Sequence, residues 1–258
     1  MHIIDCYAYS NKIRAVDPAQ KAGLAIIVLG LCLVFNHPAV SLLAVAWMWG
    51  LAVWQAGLPV FVFGRVLLAE LFFLALATVA VALSVSLSVP ANPEAWLLPL
   101  GPVWISSTPD DIFKAVNLVL RALGAASAMN FLALTTPLVD LVELLRRLRF
   151  SPILIDLMTV MYRFIFVLME SLNRMYVAQD SRLGYSSYWR GMSSAGLLGS
   201  RLFIEAFQRS QRLQTALDAR GYEGGHLQVL STTYYRSDKL LAMSAAAILS
   251  LAAAWLVL

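Results

Sequence analysis

The chain has 258 residues, of which 60% are apolar and 13% are charged, whereas an average soluble domain has about 25% charged residues. This composition excludes a water-soluble globular protein, and the formal net charge of +4 is small. The apolar residues form several separate stretches near the roughly 20 residues that cross a bilayer, without the short alternating segments of a membrane β-barrel. The sequence therefore predicts an all-α integral membrane protein.

About five membrane spans are predicted in the apolar part of the chain. They lie near Pro18–Phe35, Pro38–Trp54, Phe61–Val89, Pro109–Leu134 and Lys239–Leu258. At 1.5 Å per residue the first is about 27 Å long, slightly short for a hydrocarbon core of about 30 Å. At its start, Asp17 is the expected N-cap, Pro18 the first helical residue and Gln20 the reciprocal partner in a capping box.

A polar insert, residues 137–238, separates the fourth span from the fifth. It carries twelve of the nineteen basic residues, so the positive-inside rule places it in the cytoplasm. The chain thus divides into residues 1–136 with four spans, the cytoplasmic insert 137–238 and a final span, 239–258. Acidic residues are interspersed with the arginines, and the modest excess of positive charge argues against a nucleic-acid partner.

The short connecting segments agree with this orientation. Lys12, Arg14 and Lys21 come before or at the start of the first span, which predicts a cytoplasmic N-terminus, and Arg65 follows the second. The loop 90–111 has no Lys or Arg and is expected outside, with Trp96 and Trp104 as interfacial anchors.

Three helices are predicted inside the insert. Thr136 and Pro137 are expected to start the first, Ser151 and Pro152 begin a second that ends near Ser181, and a third covers about Gly196–Ala219. The second helix is amphipathic with a wide apolar face, which favours an interfacial or partly embedded position. A transmembrane interpretation of residues 153–169 stays open, although Asp156 and Arg163 would then need partners inside the bilayer.

Two similar segments close the second and third of these helices, "SRLGYSS" at 181–187 and "ALDARGYEGG" at 216–225. Helix termination alone explains either copy, because Gly184 and Gly221 suit a left-handed C-cap and an arginine favours the negative end of the helix dipole. The repetition favours a second interpretation, in which two basic tips fit two equivalent sockets. Arginine suits that task because its fork makes bidentate bonds to carboxylates or carbonyls.

Three charged residues lie within or near the apolar runs, and an intramembrane charge is a functional candidate. Glu70 and Lys114 are close enough to the predicted helix ends to reach the interface, which favours a structural role. Arg121 is predicted either to pair with Glu70 or to mark a face that meets a partner subunit.

These motifs carry a family resemblance. "SRLGY" and "DARGYEG" resemble the two Ala-Arg-Gly-type motifs in the T component of energy-coupling factor (ECF) transporters, and "IDCYAYSNKIRAVDPAQK" is similar to the start of its CbiQ-type branch, associated with cobalt or nickel uptake. The resemblance covers essentially the whole chain. The second motif, Ala219, Arg220 and Gly221, matches fully, whereas the first has Ser181 and Leu183 in place of Ala and Gly, with Gly184 one position late.

The resemblance implies a non-catalytic coupling subunit in a bacterial or archaeal plasma membrane. Its partners would be two ABC-type ATPase subunits, a membrane substrate-binding (S) subunit and the lipid bilayer. Arg182 and Arg220 would each dock in a groove of one ATPase, within the motif residues Ser181, Gly184, Ala219 and Gly221. ATP would bind to the partners and Co²⁺ or Ni²⁺ to the S subunit, so this chain would hold no cofactor and no metal.

Two alternatives remain from the residues alone. In a self-sufficient permease or channel, Glu70, Lys114 and Arg121 would line the pathway, and transport would need no ATPase. A membrane-bound enzyme would place its chemistry in the arginine-rich insert, for example on phosphorylated lipids, but the sequence shows no phosphate loop and no Cys/His spacing of a transition-metal site.

Overall fold

The computed structural model describes residues 7–82, 84–86, 96–100, 103–222 and 234–257, with the side chains of 80–107 and of 257 outside that description. The helices are α1 (Pro18–Val34), α2 (Pro38–Gly50, continued by a π-helical turn, Leu51–Gln55), α3 (Val60–Ala82), α4 (Pro109–Thr135), α5 (Leu138–Arg147), α6 (Pro152–Asp180), α7 (Tyr188–Asp218) and α8 (Asp238–Val257). Three short strands, β1 (Ser84–Ser86), β2 (Trp96–Leu100) and β3 (Val103–Ser107), join α3 to α4. The predicted all-α membrane class is confirmed.

Proline marks the start of four of these helices. Asp17 caps α1 by accepting a hydrogen bond from the Ala19 N–H at 3.1 Å, and His37 Nδ1 accepts from the Ala39 N–H at the start of α2. The predicted capping box at Asp17 is wrong, because the Gln20 amide oxygen accepts from the Ser237 N–H instead. A reciprocal box does form at α4, between Thr108 and Asp111.

Five helices in the described part of the chain are long and apolar enough to cross a membrane. They are Pro38–Gln55, Val60–Val79, Pro109–Thr135, Pro152–Asp180 and Asp238–Leu256. The predicted first span, α1, has 17 residues, about 26 Å, and falls short of that length. In its place α6 qualifies by length and composition, so the transmembrane interpretation of its first half stays open.

The third predicted span is too long, since α3 ends at Ala82 and not at Val89. The following residues, "LSVSLSV", alternate apolar and polar side chains, a pattern typical of a strand. Here β1, β3 and β2 form an antiparallel sheet in that order. Trp96 and Trp104 belong to β2 and β3, but their predicted anchoring side chains lie outside the described residues.

The described chain separates into two compact units. The first, Met1–Pro137 with Thr232–Leu258, places α4 against α1, α2 and α3 around buried residues such as Met48 and Phe131. Gly124 permits this packing, because a Cβ there would lie 3.1 Å from Cys32 Sγ and 3.3 Å from the Ser41 carbonyl oxygen. The opposite face of α3 exposes large apolar side chains, as expected for a helix in contact with lipid.

The second unit, Leu138–Ser231, contains α5, α6 and α7. Helix α6 begins and ends where the sequence predicts, but α7 begins at Tyr188, eight residues before the predicted Gly196. The predicted N-cap role of Thr136 is wrong as well. Its N–H donates to the Leu132 carbonyl and so closes α4, and its buried hydroxyl has no hydrogen-bond partner among the described residues, so this side chain does not cap α5.

Candidate functional site: two matching helix ends

The ends of α6 and α7 have the same backbone hydrogen bonds, shifted by 38 residues. The N–H groups of residues 181–184 donate to the carbonyls of 177, 179, 180 and 179 at 2.9–3.1 Å. Those of residues 219–222 donate to 215, 217, 218 and 217 at 3.0–3.1 Å. Both ends are therefore Schellman caps, and Arg182 and Arg220 hold equivalent positions in them.

The left-handed residue of the first cap is Leu183, with φ of 59°, and that of the second is Gly221, with φ of 73°. The expectation that Gly184 takes the left-handed position is therefore wrong. The structure aligns Ser181 with Ala219 and Leu183 with Gly221, so the first motif departs from the second in residue type and not in backbone shape.

Gly184 has a different function, which is to allow close packing. A Cβ on this residue would lie 2.9 Å from the Gln179 carbonyl oxygen and 2.9 Å from Ser194 Oγ. The Ser194 hydroxyl donates to the Gly184 carbonyl at 2.9 Å, which ties the start of α7 to the turn after α6. Glycine is needed here because α7 passes close to the cap.

A third helix end shows that this cap needs no preceding arginine. At the end of α5, Arg149 has φ of 61°, its N–H donates to the Arg146 carbonyl and the Phe150 N–H donates to the Leu145 carbonyl. The residue before the left-handed position is Leu148 there, whereas it is arginine at the ends of α6 and α7. Capping alone thus explains the backbone of the two elements but not the identity of Arg182 and Arg220.

Arg182 and Arg220 are both exposed, and neither forms an ion pair within the part of the chain that the structure describes. The neighbouring tyrosines do not hold equivalent positions, because the shift of 38 residues aligns Tyr222 with Gly184 and not with Tyr185. The Tyr185 hydroxyl donates to Gln179 Oε1 at 2.8 Å and its ring packs on Tyr176, so this side chain braces the first turn. The two tips, which are the ends of α6 and α7 that carry Arg182 and Arg220, therefore share a backbone shape and an exposed guanidinium group. They do not share an equivalent tyrosine.

A polar cluster fastens α6 to α7, and the sequence alone did not reveal it. The hydroxyl of Ser171, buried on α6, donates to Glu205 Oε1 on α7 at 2.7 Å. Arg209 also donates to this oxygen, at 2.7 Å through Nη2. The hydrogen bonds from Arg209 and then Ser171 lower the pKa of Glu205 below its ordinary value of 4.5.

The predicted pairing of Arg121 with Glu70 is wrong. Both oxygens of Glu70 accept from the Asn130 amide at 2.9 Å, joining α3 to α4. Arg121 donates instead to the Leu33 carbonyl, one of the last four carbonyls of α1, which lack partners within the helix. Lys114 lies 4.0 Å from Asp111 with a largely exposed side chain, in keeping with a structural role.

Lys21 of α1 makes a contact of the same kind as Arg121, at the opposite end of the pair formed by α1 and α4. Its side chain is fully buried, and Nζ donates at 3.2 Å to the carbonyls of Ile13 and Thr135, the latter being the last residue of α4. Asn11 donates to the Thr135 carbonyl as well, at 3.1 Å. Each of two antiparallel helices therefore receives a cation from its neighbour at its negative C-terminal end. Lys21 was counted above among the charges that predict a cytoplasmic N-terminus, but its side chain is buried and not exposed to solvent.

Comparison with known proteins adds independent information. Residues 9–230 match the family described as CbiQ, cobalt transport protein. An uncharacterised protein of Methanocaldococcus jannaschii is 33% identical over 86% of this chain and 81% of its own length. The cobalt transport protein CbiQ of Salmonella typhimurium is 28% identical over 86% of this chain and 97% of its own. The energy-coupling factor transporter transmembrane protein EcfT of Staphylococcus aureus is 29% identical over half of each chain.

Proposed function

Because this chain belongs to the CbiQ cobalt transport protein family, we propose that it is the transmembrane coupling (T) subunit of an ATP-driven importer of the energy-coupling factor type. Cobalt is the proposed cargo, ahead of nickel, because the matching family is described as a cobalt transport protein. The chain is a multi-pass membrane protein with five described helices long enough to span a bilayer. It performs no chemistry of its own.

The observation that carries this proposal is the pair of matching helix ends. Arg182 and Arg220 hold equivalent positions in two Schellman caps, both are exposed, and capping does not require either. A partner made of two similar ATPase subunits presents two similar sockets. Each arginine enters one of these sockets and forms charge-assisted bonds with carboxylates or carbonyl oxygens.

Transmission of movement requires that the two tips are mechanically connected. Helices α6 and α7, of 29 and 31 residues, are long rods joined by the bond between Ser171 and Glu205. When ATP brings the two ATPase subunits together, the tips move, and the joined helices pass the displacement to the membrane subunit that binds the metal. The proposal places residues 137–238 and the N-terminus in the cytoplasm of a bacterial or archaeal cell.

The experiment is a purification of the tagged chain from its native membrane, with copurifying proteins identified by mass spectrometry. We expect two ABC-type ATPase chains and one small membrane protein with the unchanged chain. The double variant Arg182→Glu with Arg220→Glu should lose the ATPases and keep the membrane protein. Retention of the ATPases by this variant would falsify the docking role of the two tips.

The matched control is Arg149→Glu with Arg201→Glu. It makes the same change in net charge within the same unit, at one residue of the third cap and one exposed residue in the middle of α7. We expect the control to retain the ATPases. If both double variants lose them, the loss reflects the total charge of the unit and not the two tips.

The permease alternative makes a different prediction for transport. Reconstituted alone in vesicles, a self-sufficient permease carries Co²⁺ down its gradient without ATP. A coupling subunit carries none until the ATPases, the S subunit and ATP are added. Metal uptake by the isolated chain would therefore replace the coupling proposal with the permease.

A further inference from the structure

The second unit contains a basic cleft between its two long helices. It has a volume of about 620 Å³ and lies between residues 159–167 of α6 and residues 209–220 of α7 and its cap. Four arginines line it, Arg163, Arg209, Arg212 and Arg220, together with apolar side chains that include Phe164 and Leu213. Its size falls within the roughly 300–1,000 Å³ of sites that bind small molecules.

The positive charge in this cleft is mostly uncompensated. Arg209 is paired with Glu205, but no ion pair involves Arg163, Arg212 or Arg220 in the part of the chain that the structure describes. Neighbouring cations repel one another, so three such side chains around one opening favour an anion between them. Arginine binds phosphate oxygens with two parallel bonds, which suits a phosphate group in this place.

The apolar wall narrows the choice of anion. A free phosphate gains nothing from Phe164 and Leu213, whereas an anionic phospholipid places its headgroup on the arginines and the start of an acyl chain on the wall. Helix α6, which supplies half of the cleft, is itself apolar enough to enter a membrane, so lipid is available to it. Basic pockets between helices on the cytoplasmic side of a membrane commonly hold lipid headgroups.

We propose that the cleft between α6 and α7 binds one anionic phospholipid, with Arg163 and Arg212 as its principal phosphate ligands. The inference rests on the proposed cytoplasmic placement of the second unit and not on the docking of ATPases. The cleft lies toward the open end of the helix pair and adjoins the Ser171–Glu205 bond through Arg209, which lines the cleft and also donates to Glu205.

The test uses the full chain purified in a non-ionic detergent. Its melting temperature is measured with added phosphatidylglycerol, with phosphatidylcholine of the same acyl chains, and with inorganic phosphate. We expect phosphatidylglycerol to raise the melting temperature, and the other two to leave it nearly unchanged. An equal rise with phosphatidylcholine, or a full rise with inorganic phosphate alone, overturns the proposal.

The variant Arg163→Gln with Arg212→Gln removes both ligands but neither helix tip. We expect it to need about tenfold more phosphatidylglycerol for half of the maximal rise, because two solvent-exposed charge pairs with the phosphate are lost. The control, Arg190→Gln with Arg201→Gln, removes two exposed arginines of α7 that do not line the cleft.

With phosphatidylglycerol, the melting temperature of the control should rise as much as that of the unchanged chain. An equal rise in the Arg163→Gln, Arg212→Gln variant contradicts the proposed site. Both double variants should have the melting temperature of the unchanged chain before lipid is added, since the four side chains are exposed. Both should also copurify with the ATPases. If the purified chain responds to phosphatidylglycerol although no ATPase copurifies with it, the lipid site is supported while the docking of the tips is not.

Discussion

At the scale of single residues, the two tips show how one backbone shape arises from different sequences. Leu183 and Gly221 occupy the same left-handed position, which costs an ordinary L-residue about 1–2 kcal/mol and glycine very little. The sequence pattern placed glycine at the left-handed position of both motifs, and that was correct only for Gly221. The glycine of the first motif, Gly184, is needed because Ser194 of α7 packs against it. The spacing of residues in the sequence does not reveal this contact.

Substitution of Gly184 by alanine should destabilise the second unit by about 1–3 kcal/mol, because the new Cβ would overlap a backbone oxygen that cannot move without opening the cap. Gly199→Ala on α7 is the control. A Cβ there meets no atom within 4 Å, and alanine in a helix is favoured over glycine by about 0.5–1 kcal/mol. Hydrogen exchange of the amides of residues 177–200 should thus change in opposite directions. Equal effects would show that Gly184 is not constrained by packing.

At the scale of helices, the sequence predicted most starts and ends to within one residue, with one large error of each kind, at the start of α7 and at the end of α3. The starts of α1, α2, α4 and α6 were placed correctly because a proline marks each of them. The start of α7 has no proline to mark it, and it lies eight residues before the predicted Gly196. The end of α3 was missed because hydropathy continues through β1 while the periodicity changes.

The pairing of α6 with α7 should depend on pH through Glu205. Since its pKa is lowered in the folded chain, the carboxylate contributes stability that is complete above its ordinary value of 4.5 and is lost as the pH falls through the lowered value. The melting temperature of the full chain should therefore fall more steeply below pH 4.5 than that of Glu205→Gln. Glu170→Gln, which changes an exposed ion pair with Arg174, should follow the unchanged chain. Parallel curves for Glu205→Gln and the unchanged chain would contradict the assignment.

At the scale of the whole molecule, the first unit depends on charges placed where two helices end. Lys21 and Arg121 were interpreted from sequence as a cytoplasmic charge and an intramembrane site. Two of their carbonyl partners lie far away in the chain: Thr135 is 114 residues from Lys21, and Leu33 is 88 residues from Arg121. Only the antiparallel arrangement of α1 and α4 brings each cation to its carbonyl. Neighbouring residues in the sequence do not indicate this arrangement.

Lys21→Met should lower the stability of the first unit by about 1–3 kcal/mol, because it removes a donor from the buried Thr135 carbonyl at the end of α4. Lys114→Met is the matched control, since its side chain is 72% exposed and its substitution should stay within about 0.5 kcal/mol. The melting temperatures of both variants, measured in the same detergent, provide the comparison. An unchanged melting temperature for Lys21→Met would mean that Asn11 alone satisfies this carbonyl.

The reciprocal contacts of Lys21 and Arg121 also set an order for biosynthesis. Helix α1 leaves the ribosome long before α4 exists, so Lys21 at first has the Ile13 carbonyl but not that of Thr135, and an incompletely paired lysine is costly in hydrocarbon. We expect the newly made α1 to stay at the membrane–water interface. It should enter the bilayer only after α4 has been synthesised and packs against it in the antiparallel direction. In ribosome-bound chains with Cys6→Ser, Cys32 should react with a maleimide until α4 has emerged and be shielded afterwards. Early shielding would show that α1 inserts unaided.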